Sequence, residues 1–116
     1  MSHFKSAMKL LGPLKKPLFI KMRKERRAYP MAIGIYEVLI AERPDRALPT
    51  QWGMTALTRS KRYQKSMLEE NAMRYNAEGI AVAPISDDER EHARRRLKNI
   101  INKAAVLWPK VEEARP

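Results

Sequence analysis

The sequence predicts a mainly α fold with one small β-hairpin (α+β), built as a compact single domain. Three observations lead there. Apolar residues recur at helical spacing, as in Ile33, Tyr36, Leu39 and Ile40 in the middle of the chain and Ala93, Leu97, Ile100, Ile101, Ala104 and Leu107 near its end. A polar turn, Asn76-Ala77-Glu78-Gly79, separates two short strand-like runs. Ser86 and Glu89 have the Ser-x-x-Glu spacing of a capping box in front of the last periodic segment. A length of 116 residues fits one domain, and 44% hydrophobic residues supply a modest core.

Taken in order, residues 1–29 read as a basic N-terminal arm or extension. Pro13 and Pro17 interrupt the early apolar residues, and the first thirty positions hold nine bases against one acid. The domain proper is expected over 30–108. Pro30 suits the entry of its first helix, which Arg43-Pro44-Asp45 ends. A short helix from Pro49 to about Leu57 is expected to pack through Trp52 and Ala56. Another begins at Thr58-Arg59-Ser60-Lys61, with Tyr63 and Met67 four apart on its inner face. The hairpin follows, then the longest helix from Ser86, where Arg94 and Arg96 border the apolar arc and Arg95 points away from it. Residues 109–116 read as a C-terminal tail.

Composition excludes several classes of function. Without cysteine there is neither a disulfide framework nor a thiolate metal site. His3 and His92 are the only histidines, and both read as solvated. The acids of Ser86-Asp87-Asp88-Glu89 are explained by capping and the helix dipole. No Gly-rich phosphate loop, zinc-protease pair or serine-hydrolase elbow occurs. The expectation is a binder with no catalytic residues, metal, cofactor or small-molecule substrate. No apolar run is long enough to span a membrane, and the early prolines and lysines break any signal peptide. A cytoplasmic monomer is expected.

Charge points to the ligand. Lys and Arg number 24 against 13 Asp and Glu, a net charge of +11, which suits a polyanion. The excess is segmental: residues 58–68 hold four bases and no acid, whereas 69–90 hold two bases and six acids. A helix start usually carries acids. The one near Ser60 offers instead free N–H groups, the Thr58 and Ser60 hydroxyls, and Arg59, Lys61 and Arg62, the composition of an anion site. Lys21, Lys24, Arg26 and Arg27 would add a looser electrostatic arm. Tyr63 is either a core residue or a stacking platform for a base.

The order of these pieces resembles the ProQ/FinO domain, a family of bacterial RNA-binding proteins and RNA chaperones. Three stretches carry the resemblance: "PMAIGIYEVL" at 30–39, "RYQKSM" at 62–67, and "MRYNAEGIAVAPISDDEREHARRRL" at 73–97. Arg62, Tyr63, Arg74 and Gly79 match the family pattern. Ala32 stands where the family usually has Lys, and Leu57 or Met54 where an aromatic or histidine commonly precedes the Arg-Tyr pair. The resemblance implies a mainly helical domain whose basic concave face binds the base of a terminator hairpin and its single-stranded 3′ tail. The candidate RNA contacts are then Arg59, Ser60, Lys61, Arg62, Tyr63, Arg74 and Arg94, with Lys21, Lys24, Arg26 and Arg27 in the arm. Such a protein would protect or remodel structured transcripts in post-transcriptional regulation by small RNA.

Two other readings compete. Residues 48–64 also read as helix, turn and basic helix, as in a DNA-binding regulator, although the second helix lacks the side chains typical of major-groove readout. Residues 4–27 carry Phe4, Met8, Leu10, Leu11, Leu14, Leu18 and Phe19, which would suit a membrane surface if Pro13 and Pro17 did not break the helix.

Overall fold

The structure, a computed structural model, describes the backbone of residues 3–113 and the side chains of residues 3–103. Among the described residues there are six α-helices and one antiparallel hairpin: α1 (His3–Leu10), α2 (Pro17–Glu25), α3 (Ile35–Glu42), α4 (Ala47–Thr58), α5 (Lys61–Met67), β1 (Met73–Tyr75), β2 (Ala81–Pro84) and α6 (Asp87–Glu113). Ala104 and Leu107, expected on the apolar arc, and the expected tail at 109–116 lie outside the described side chains. The backbone of α6 continues as helix through Glu113.

The first thirty residues are part of the core. Phe4, Ala7, Met8, Leu11, Leu14, Leu18, Phe19 and Met22 are all buried in one cluster with Leu39, Leu57, Tyr63 and Met67. An arm set apart from the domain, and a membrane-facing surface made of the same residues, are both at odds with that burial. The prolines separate two packed helices. Pro17 stands at the first turn of α2, where its fixed φ suits helix entry and its missing N–H would have no partner anyway. The Leu18 N–H, another orphan of that turn, donates to the Ala77 carbonyl at 3.0 Å, so the hairpin turn helps cap α2.

α1 lies directly on α4. Gly53 permits the approach: a Cβ there would come within 2.7 Å of Leu11 Cγ. α4 turns Thr50, Gly53, Met54 and Leu57 inward. Trp52, expected in that packing, is 58% exposed. At 3.6 residues per turn it falls opposite the buried set. Ile33, expected on the inner face of α3, precedes that helix and is also exposed.

The hairpin and the last helix form as expected, for local reasons. Asn76 Oδ1 accepts from the Glu78 and Ile80 N–H groups, and Gly79 takes φ 81°, which costs glycine little. On its other side β1 is bridged by Met31, with the Tyr75 N–H donating to Pro30 O and the Ala32 N–H to Tyr75 O. In the capping box, the Glu89 N–H donates to Ser86 Oγ at 3.1 Å, and the Ser86 N–H donates back to Glu89 Oε1 at 2.9 Å. α6 then runs about 40 Å at 1.5 Å per residue, with Ala93 buried and Arg94, Arg95 and Arg96 exposed.

Candidate nucleic-acid interface

α5 begins where three elements meet. Ser60 is its N-cap: the hydroxyl accepts from the Tyr63 N–H at 3.1 Å and donates to the Leu57 carbonyl at 2.6 Å. At 3% exposure it has no face left for a ligand. The Thr58 hydroxyl is also committed, donating to the Met54 and Thr55 carbonyls. The hydroxyl half of the expected anion site is therefore spent on holding the α4–α5 corner. The cationic half remains, because Arg59 and Lys61 are exposed and make no ion pair among the described residues.

Arg62 ties the corner to the N-terminal helices. Its guanidinium donates to the Arg26 carbonyl at 3.0 Å and lies 4.7 Å from the centre of the Phe4 ring, a cation–π contact. Arg26 itself caps α2 and points to solvent. Arg26, Arg59, Lys61 and Arg62 thus come together around the starts of α1 and α5, although 33 residues of sequence separate the first from the second. Lys24, in the last turn of α2, and Lys65, on the outer face of α5, are further exposed bases near these elements. Lys65 was missed by the sequence reading, although its spacing from Lys61 places it on the same helix face.

Other expected contacts are occupied differently. Tyr63 is 7% exposed and its hydroxyl accepts from the Met31 N–H at 3.0 Å, so it packs as a core residue. Arg74 donates to the Met31 carbonyl at 2.6 Å and pairs with Glu89, fastening the hairpin to the 30–32 segment and to α6. With only 15% of its side chain exposed, its guanidinium is committed to these two partners. Arg27 makes two 2.9 Å bonds to Glu69 and stacks 4.1 Å over Tyr29. Desolvation pulls its pKa down, but Glu69, Tyr29 and Glu25 more than offset this and hold it above its ordinary value. Lys21 sits 4.9 Å from the same Tyr29 ring, and burial with the bond to Glu25 pushes the Tyr29 phenol up to about 12. Arg94 pairs with Glu91 on the exposed face of α6.

The sequence reading also missed a depression on α4. It has a volume of about 300 Å³ and is lined by His3, Gln51, Trp52, Thr55, Ala56 and Arg59. The signal was present: positions 50, 53, 54 and 57 share one helical face, which leaves Trp52 outside it.

The geometry weakens the competing readings. α5 has seven residues, of which Tyr63, Gln64, Ser66 and Met67 are buried, so it exposes no long face to a major groove. Among the described residues no helix is long and apolar enough to cross a membrane, and no group of three acidic or histidine side chains is placed to hold a metal ion.

Comparison with known proteins agrees with this architecture. The family model of the ProQ/FINO family matches residues 5–106. Among solved structures, a FinO-like RNA chaperone from Neisseria meningitidis superposes with a TM-score of 0.58 at 20% identity, covering 92% of this chain and 86% of the other. At that identity the likeness establishes the fold. Comparison with curated proteins returns no match.

Proposed function

The chain belongs to the ProQ/FinO family, and from that premise we propose that it is a non-enzymatic RNA-binding protein that acts as an RNA chaperone. The observation that carries the reading is the convergence of Arg26, Arg59, Lys61 and Arg62 on one corner of the domain, with no carboxylate bonded to any of them among the described residues. Phosphates recruit such a surface without regard to sequence, so selectivity has to come from RNA shape and unpaired ends. The favoured targets are structured transcripts ending in a terminator-type hairpin with a single-stranded 3′ tail, protected or remodelled during regulation by small RNA in the cytoplasm. The protein would act as a monomer.

The basic corner supplies affinity, and Lys21, Lys24 and the exposed arginines of α6, Arg94 included, extend it. The neighbour's description as an RNA chaperone supports the same reading. The test is a competition between one RNA hairpin with its 3′ tail and the same hairpin cut blunt. The tailed hairpin is expected to bind at least several-fold more tightly. Equal binding of the two would remove tail recognition while leaving RNA binding in place.

A further inference from the structure

Among the described residues, Trp52 is the only large aromatic side chain that is mostly exposed. The core does not explain it, since α4 buries Thr50, Gly53, Met54 and Leu57, and the indole projects from the opposite side. Arg59, the residue that ends α4, lies two turns further on, on that same outer side. Between them Ala56 is too small to fill the surface, which leaves an open depression that His3 from α1 also lines. Its volume of about 300 Å³ lies at the low end for small-ligand clefts. Gly53 against Leu11 fixes α1 on α4, so the two walls are held in place before any ligand arrives.

The lining has a definite chemistry. Trp52 offers a π face, Arg59 a guanidinium without an ion-pair partner among the described residues, and Gln51 and Thr55 polar groups at the rim; no carboxylate lines the depression. A flat aromatic ring joined to a negative charge satisfies all of these together. Resting on the RNA-binding reading above, we propose that the depression seats one unpaired nucleotide of the bound RNA. Its base stacks on Trp52 and its phosphate meets Arg59. From Arg59 the strand continues over Lys61 and Arg62, so the seat adjoins the basic corner and adds a contact that needs a single strand. Stacking on an aromatic side chain is tolerant of base identity, so the seat selects unpaired RNA and not a sequence.

The test uses the full chain and three probes: a short oligoadenylate, a blunt RNA duplex and a tailed hairpin. In a Trp108→Phe background Trp52 is the remaining tryptophan of the two in the chain, and its fluorescence is expected to be quenched by oligoadenylate and not by the duplex. Independently, labelled RNA is titrated against the otherwise native chain. Trp52→Ala is expected to weaken oligoadenylate binding roughly 5- to 150-fold, with an unchanged melting temperature, and Trp52→Phe to restore most of it. Arg59→Gln is expected to make the salt slope shallower by about 0.7. If the native chain binds RNA and Trp52→Ala binds all three probes equally well, the seat is overturned and the RNA-binding reading stands. If the native chain binds none of the probes, that reading falls and the seat falls with it.

Discussion

Arg26 ends α2 with φ 56°, in the left-handed region where glycine is the usual helix terminator. An L-residue costs roughly 1–2 kcal/mol there, and the Arg26 side chain makes no hydrogen bond or ion pair among the described residues to offset it. The contact to Arg62 uses only the Arg26 backbone carbonyl, which glycine would keep. Arg26→Gly is therefore expected to stabilise the fold by up to about 1 kcal/mol while weakening RNA binding, as read by urea melts and RNA titrations of the same samples. A variant less stable than the native chain would show that the side chain serves the fold. Arg74 presents the opposite case. Its match to the family pattern was legible, but its partners were not, because Met31 and Glu89 lie 43 and 15 residues away in the chain. The Ser86 N–H, opposed by desolvation and aided by the Arg74 guanidinium, holds the Glu89 carboxyl below its ordinary value of 4.5. A carboxylate with a depressed folded pKa stabilises the fold above its unfolded value and loses that contribution as pH falls through the folded one. Arg74→Ala is expected to cost about 1.5–3 kcal/mol, as for a hydrogen bond to a charged group. The acid limb of its stability curve should be flatter than that of the native chain. An unchanged melting temperature would return Arg74 to the list of free RNA contacts.

At the level of elements, local chemistry was readable and long-range packing was not. The hairpin turn and the capping box each use groups within five residues, so composition and spacing were enough to specify them. α1 and α2 read as an arm from the sequence because their burial depends on α4 and on the hairpin turn, which periodicity over short helices broken by Pro13 and Pro17 does not reveal. Trp52 reads as a core residue by its type, although its wheel position lies opposite the buried set. The contact of Leu11 with Gly53 is the most exacting of these long-range fits. Gly53→Ala gains about 1 kcal/mol of helix propensity but forces a methyl against Leu11, which is fully buried and has nowhere to move. Overpacking of this kind costs about 1–3 kcal/mol, so a net loss of stability is expected in urea unfolding, larger for Gly53→Val. Deleting residues 1–28 removes eight buried apolar side chains, Phe4 to Met22, together with Ala28. Circular dichroism of the truncated chain is expected to show loss of the fold, whereas retained helicity would restore the picture of a separable arm.

Across the whole molecule, the net charge of +11 and the basic corner make one claim, that RNA is held chiefly through its phosphates. Six exposed cations carry it: Lys21, Lys24, Arg26, Arg59, Lys61 and Arg62. The sequence made the excess of bases legible, and the fold explains how residues 21–26 and 59–62 come to share a surface, since Arg62 is bonded to the end of α2. The most direct measurement is the affinity of the native chain for a 3′-tailed RNA hairpin and for duplex DNA of equal charge over a series of salt concentrations. With six phosphates neutralised on a single strand, log K should fall linearly with log salt with a slope of roughly −4, at about −0.7 per contact. At physiological salt the RNA should bind more tightly, because the duplex lacks both the 2′-hydroxyls and the unpaired tail. Affinity that ignores salt, or that is equal for the two nucleic acids, would contradict the account.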